Sequence, residues 1–230
     1  MTGEPLPYLL RSDGMITTIL FLCLFMAVYT LSHGRKYLTY QLKNIVSNRE
    51  RGSLFDDATS NDVRYTFLLI FHSCILWGIC IYNYFANTTP ELFHFFPHYQ
   101  LLAIFIGSMV IFLFMKYLTY SFVNWIFFNK TQNTSWMTAY YNIAIWSGFL
   151  LLPVMLLIVY FDISFQCSLY LVGFVMLFAK ITLFIKCFSN FFNNFYGSFH
   201  LILYLCTLEI LPDILLWKSI VTANKLFIQY

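Results

Sequence analysis

Two carboxylates stand four residues apart in an otherwise apolar segment near the C-terminal end of the chain. At this spacing Glu209 and Asp213 share one face of a helix, and Pro212 between them interrupts the regular backbone hydrogen bonds. Charge is expensive to bury in a membrane, so such residues mark functional sites by default. The pair is predicted to bind a cation or relay protons. In the alternative, Asp213 lies at the outer membrane interface. Glu209 then lies inside the bundle, where it is either neutral or hydrogen-bonded to a Tyr or His.

The other ionisable residues in apolar segments have simpler interpretations. Lys36, Lys116 and Lys180 are predicted to be anchors at the inner interface, because a lysine can lay its apolar stem along a helix and keep its ammonium group in water. His72 is a further intramembrane polar candidate, for which a histidine satisfied by a neighbour is the ordinary interpretation.

The sequence gives little support for a metal or cofactor site. Glu91, His94 and His98 have ligand-like spacing, but Pro97 interrupts any helix there and aromatic residues crowd between them. No phosphate loop, zincin helix or nucleophile elbow is present. We predict no metal, no cofactor and no catalytic residue.

The most polar part of the chain, 35–64, predicts topology and a docking surface. It holds six basic residues, and positive charge collects on the cytoplasmic side of membrane proteins. The segment is therefore predicted to be a cytoplasmic loop, with both termini periplasmic. Arg49, Arg51, Asp56 and Asp57 are the candidate residues for docking a membrane-complex partner.

A repeated pentapeptide suggests how these residues are positioned. Lys-Tyr-Leu-Thr-Tyr occurs at 36–40 and at 116–120, and each copy is followed four residues later by an Asn, at Asn44 and Asn124. A looser third copy surrounds Lys180. One helical hairpin used three times is therefore predicted, over about 14–86, 99–160 and 165–217.

Composition sets the fold class. The 230-residue chain is 60% hydrophobic and only 10% charged, far below the roughly 25% of a soluble domain. We predict a single all-α membrane domain of about six spans, at 14–34, 65–86, 99–117, 137–160, 165–185 and 198–217, with an interfacial tail at 218–230. The lipid bilayer is the expected environment, and the net charge of +3 is too small and too scattered for nucleic-acid binding.

Four stretches together resemble a known family. They are Pro5-Leu6-Pro7-Tyr8, the loop from Asn48-Arg49-Glu50-Arg51 to Phe55-Asp56-Asp57, Asp62-Val63-Arg64-Tyr65, and Leu203-Tyr204 through Glu209-Ile210-Leu211-Pro212. They resemble the Gram-negative bacterial membrane proteins grouped as domain of unknown function 4271. The resemblance implies a polytopic helical protein of the bacterial inner membrane, and brings no activity or catalytic residues.

Three functions are compatible with these features. The first is a non-enzymatic scaffold or subunit of a membrane complex that docks its partner through 35–64. The second is a small transporter or an ion or proton pathway through Glu209 and Asp213, since repeated hairpins are a known transporter arrangement. The third, an intramembrane enzyme, requires a convergent polar pocket that the sequence does not display.

Overall fold

The computed structural model describes residues 13–46, 60–90, 93, 97–127, 130–161, 163–191 and 206–229. Nearly all of these residues are helical, and none of them forms a strand. The helices are α1 (Gly14–His33), α2 (Arg35–Val46), α3 (Ser60–Thr88), α4 (His98–Phe127), α5 (Lys130–Tyr160), α6 (Phe165–Phe191) and α7 (Leu211–Gln229). A π-helical turn, Cys206–Ile210, leads directly into α7. The predicted all-α fold class is confirmed.

Within the described ranges, five helices are long and apolar enough to cross a membrane: α1 and most of α3, α4, α5 and α6. About 20 apolar residues span the hydrocarbon core, and each of these helices supplies at least that many. The start of the predicted sixth span, 198–205, lies outside the described residues. From Cys206 the chain is helical through 217 to Gln229, so the predicted tail is not a separate helix where the structure describes it.

The outward faces of these helices are apolar. On α6, Tyr170 is 78% exposed and Phe174 is 70% exposed, and on α3 Phe67 is 75% exposed. A soluble protein seldom shows large aromatic side chains in such number, whereas lipid tails solvate them well. The outer surface is that of a helical membrane bundle.

Helix α3 is central and packs against α1, α4 and α5, and α5 also packs against α6. Close approach of these helices depends on the missing side chains of Gly78 and Gly148. A Cβ at Gly78 would lie 2.9 Å from the Ile106 Cα, and one at Gly148 would lie 3.0 Å from the Ser73 Cα. At Gly107, by contrast, a Cβ would meet no described atom within 4 Å.

The predicted loop 35–64 is partly helical, because it contains α2 and the start of α3. The two copies of the pentapeptide therefore occupy unlike elements. Lys36–Tyr40 forms the start of α2, directly after Gly34 ends α1, whereas Lys116–Tyr120 lies inside the continuous α4. The threefold hairpin repeat stays a prediction.

Candidate functional site: a buried charge cluster beside an apolar cavity

Four charged side chains from different parts of the chain meet inside the bundle. Lys116 of α4, Lys180 of α6, Glu209 of the π turn and Asp213 of α7 form what we call the charge cluster. The Lys116 Nζ lies 2.7 Å from Glu209 Oε2 and 3.2 Å from Asp213 Oδ1. The Lys180 Nζ lies 2.5 Å from Glu209 Oε2 and 2.5 Å from Asp213 Oδ2. Each carboxylate thus contacts both ammonium groups.

The cluster has a deep side and an accessible side. The side chains of Lys116 and Glu209 are only 1% and 4% exposed, whereas those of Asp213 and Lys180 are 20% and 36% exposed. On the deep side the hydroxyl of Tyr120 donates a short hydrogen bond to Glu209 Oε1. Of the four side chains, Asp213 and Lys180 are therefore the ones that a ligand can contact.

The π turn follows from Pro212. Proline has no N–H, so the carbonyl of Leu208, four residues earlier, cannot accept the usual α-helical hydrogen bond. The helix is widened over Cys206–Ile210, just before the proline. Here the Lys116 Nζ donates to the backbone carbonyl of Glu209 at 3.4 Å. Single π-helical turns often occur at functional sites, where they redirect a side chain.

Charge balance explains how the cluster tolerates burial. Two ammonium groups face two carboxylates, so it is formally neutral, although each charge loses most of its contact with water. Attraction within a buried ion pair offsets this desolvation only when the contacts are short and the remaining lone pairs are satisfied. Loss of one member would leave an uncompensated charge.

A cavity of about 650 Å³ lies against the accessible side of the cluster. Lys180, Glu209 and Asp213 line one part of it, and most of its other lining residues, from α3, α4, α5, α6 and α7, are apolar. Trp77, Met109, Phe112, Val172 and Met176 are among them. The volume and the few convergent polar groups are those of a small-molecule site.

Beyond the cluster, α4 carries a buried polar column. Lys116, Tyr120 and Asn124 follow one another at intervals of four, and none is more than 2% exposed. The amide of Asn124 donates to the Asn133 side-chain oxygen of α5 at 3.1 Å. The cavity-lining residues of α4, Met109, Phe112 and Leu113, all precede Lys116. Along α4, Lys116 therefore lies between the cavity-lining residues and the rest of the polar column, Tyr120 and Asn124.

The structure places the sequence candidates as follows. Glu209 and Asp213 share one face, as their spacing predicts, because both contact the same two lysines. Lys116 and Lys180 were predicted as snorkelling anchors, but their ammonium groups turn inward to the carboxylates. The physical reason is that a carboxylate partner stabilises an ammonium group that burial would otherwise destabilise.

The remaining candidates lie apart from this site. Lys36 is exposed on α2. His72 is fully buried near Phe149, with ring centroids 5.8 Å apart, and neither ring nitrogen hydrogen-bonds to any residue described by the structure. The docking candidates Arg49, Arg51, Asp56 and Asp57 lie outside the described residues.

Sequence reasoning missed the cavity, and it allowed a tyrosine partner for Glu209 without identifying Tyr120. A signal for Tyr120 was present, because Lys116, Tyr120 and Asn124 recur every fourth residue and so form one stripe along a helix. The cavity left no comparable signal, since its walls come from five helices and resemble any apolar face. The fold thus brings a few polar side chains together in one part of an otherwise apolar cavity, which the sequence does not display.

Comparison with known proteins identifies a family without an activity. The family model described as Domain of unknown function (DUF4271) matches residues 16–220, which is most of the chain. No curated protein and no solved structure matches the chain. Among the described residues, no group of three or more His, Cys, Asp and Glu side chains is arranged to hold a metal ion.

Proposed function

The chain belongs to the DUF4271 family, whose description assigns no activity, and we propose from its charge cluster that it is a small proton-conducting transporter. Glu209 and Asp213 are the proton-binding carboxylates, and Lys116 and Lys180 are their counter-ions. The observation that carries the proposal is the position of the cluster on α4, with the cavity on one side and the polar column on the other.

Physical chemistry favours a functional over a stabilising role. Replacing a buried ion pair with apolar side chains is often neutral or stabilising, so the buried pair of Lys116 and Glu209 is not explained by stability alone. Ionisable side chains inside membrane bundles characteristically mark proton relays and substrate pathways. The resident lysines also repel metal cations, which favours protons over sodium or potassium as the transported species.

The geometry suggests an order of events. Asp213, the more exposed carboxylate, takes up a proton from the cavity and loosens its contact with Lys180. The proton moves to Glu209 as the two ammonium groups shift toward the remaining negative charge. The Tyr120 hydroxyl, bonded to Glu209, then connects this carboxylate to the polar column at Asn124.

Membrane placement is part of the proposal. We place the chain in the bacterial inner membrane with the basic segment 35–64 in the cytoplasm and both termini in the periplasm. The five apolar helices support a membrane location, and the concentration of Lys and Arg in that segment supports the orientation.

Proton flux in proteoliposomes tests this function. The purified full chain is reconstituted around a pH-sensitive dye, and a potassium diffusion potential drives proton entry. We expect faster acidification than in empty vesicles, loss of this flux in Asp213→Asn, and full flux in the control Lys36→Met, which removes an exposed lysine outside the cluster. A wild-type rate equal to that of empty vesicles contradicts the proposal.

A scaffold or complex subunit is the second candidate, favoured by the exposed basic residues Arg35, Lys36 and Lys43 on α2. They extend the basic character of the neighbouring 47–59 segment, which carries Arg49 and Arg51. Crosslinking in native membranes, with and without Arg49→Ala and Arg51→Ala, tests this role. A stoichiometric partner lost in the variant supports docking, and an unchanged set of crosslinks contradicts it.

A further inference from the structure

We infer that the cavity binds an amphipathic anion, a molecule with one apolar chain and a carboxylate or phosphate head group. The inference rests on the proposed function, because the proton that enters with the anion is held by Asp213, a carboxylate of the proposed proton pathway. Two independent features carry it: the long apolar walls of the cavity and the donor that Lys180 presents at its charged end.

The shape of the cavity favours a chain over a compact molecule. Residues of α6 from Phe165 to Leu183 line it, a length of roughly 27 Å at the helical rise. Trp77, Val172 and Ile220 are among the apolar side chains along it. Burying an apolar chain against such walls contributes about 0.8 kcal/mol per methylene in free energy of transfer. A polar metabolite of the same volume would leave its hydrogen bonds unmet.

The head group is selected by Lys180. An ammonium group has three N–H donors. Two of them are directed to Glu209 Oε2 and Asp213 Oδ2, each at 2.5 Å. The side chain is 36% exposed and lines the cavity, so the third donor is available to an anionic oxygen. Lys116, at 1% exposure, is shielded from any ligand.

Charge balance then requires a proton. An anion beside the neutral cluster gives three negative charges against two positive ones, an excess that a buried site disfavours. Among the described residues, Lys116 of α4 and Lys180 of α6 contact Asp213, and Glu209 of the π turn, Tyr140 of α5 and the exposed Lys218 of α7 line the same cavity. Asp213 is the more exposed carboxylate, so it takes up the proton as the anion binds.

An amphipathic cation is the opposite possibility. Its ammonium group would have to replace Lys180 at both carboxylates, where Lys180 already makes two short contacts. It would also add a positive charge to a cluster that is already balanced. These two costs favour the anion.

Tryptophan quenching tests the inference, because Trp77 and Trp217 both line the cavity. The full chain in nanodiscs is titrated with four brominated probes that share a sixteen-carbon chain: a carboxylate, a phosphate, an alcohol and an alkylammonium. We expect either anion to bind at least tenfold more tightly than the alcohol, about the value of one charge-assisted hydrogen bond. Equal binding of alcohol and anions, or tighter binding of the ammonium probe, overturns the inference.

The two anionic probes also separate the possible sources of the ligand. Preference for the carboxylate indicates a free fatty acid, whereas preference for the phosphate indicates a single-chain phospholipid. Either result supports an amphipathic anion.

Variants locate the binding. Lys180→Met should remove the preference for anions over the alcohol, whereas Lys36→Met, at an exposed lysine, should keep it. Val172→Trp should block the apolar chain of all four probes. Its control is Phe174→Trp, which adds the same side chain at a position 70% exposed and outside the cavity. Unchanged anion preference in Lys180→Met overturns the assignment.

The outcome is separable from that of the proposed function. Proton flux without a preference for anions leaves the transporter proposal standing and removes the amphipathic ligand. Anion binding at the cavity without proton flux keeps the ligand site and removes the transporter.

Discussion

The same pentapeptide, Lys-Tyr-Leu-Thr-Tyr, buries opposite faces in its two positions. On α2, Leu38 is 3% exposed, while Lys36 and Tyr40 are exposed. On α4, Lys116 and Tyr120 are 2% and 0% exposed, and Leu118 is 45% exposed. Leu38 packs in a cluster with Leu69 and Ile145, whereas Lys116 and Tyr120 meet Glu209.

The difference shows that partners on other helices decide which face of a helix is buried. On α4, the ammonium group of Lys116 lies inside the bundle because the carboxylates of Glu209 and Asp213 lie opposite it. On α2, by contrast, Leu38 packs against apolar side chains of α3 and α5. Identical local sequence gives the same helix but not the same environment. Paired substitutions at matching positions of the two copies measure this difference directly.

The largest difference in stability loss between the two copies is expected at their lysines, Lys36 and Lys116. Lys116→Met leaves Glu209 and Asp213 with one ammonium group between them, and should lower the free energy of unfolding by about 4 kcal/mol. Lys36→Met should change it by less than about 0.5 kcal/mol, because the side chain is exposed. Unfolding in mixed detergent micelles measures both. Similar losses of stability in the two variants would mean that Lys116 is not more buried than Lys36.

At the leucines, the α2 copy is expected to be the more sensitive one, the reverse of the lysines. Leu38→Ala removes a buried side chain and should cost about 3 kcal/mol of stability through lost contacts and a residual cavity. Leu118→Ala, at a position 45% exposed, should cost less than about 1 kcal/mol. The same unfolding assay applies, and a larger loss at Leu118 would place the buried face of α4 elsewhere.

A smaller difference is expected at the second tyrosine. Tyr120→Phe removes a buried hydroxyl that donates to a charged carboxylate, and should cost about 2 kcal/mol. Tyr40→Phe acts on a side chain 41% exposed and should be close to neutral. If Tyr120→Phe left both stability and proton flux unchanged, Tyr120 would not belong to the site.

The smallest effect on stability is expected from a double substitution that keeps the cluster neutral. Lys116→Met combined with Glu209→Gln removes one charge of each sign and leaves the Lys180–Asp213 pair, whose nearest atoms lie 2.5 Å apart. Stability should stay within about 1 kcal/mol of wild type, since no uncompensated charge is left. A loss as large as that of Lys116→Met alone would show that the stability effect is not electrostatic.

Much of the fold could be predicted from the sequence, because the length of each apolar segment predicts a helix long enough to cross a membrane. The spacing of Glu209 and Asp213 likewise predicted their shared face. The partners could not be predicted: Lys116 and Glu209 are 93 residues apart, and no local pattern says which helices meet. Without a visible partner, a lysine in an apolar helix is most simply interpreted as an interfacial anchor, and for Lys116 and Lys180 the structure shows otherwise.

The most direct test of the charge cluster as a proton site is flux through this charge-balanced double variant. Lys116→Met with Glu209→Gln is reconstituted beside wild type and Lys36→Met, and proton entry is followed under the same imposed potential. We expect the double variant to be folded but to lose the flux, while Lys36→Met conducts like wild type. Wild-type flux in the folded double variant would contradict a role for Glu209 in proton transfer.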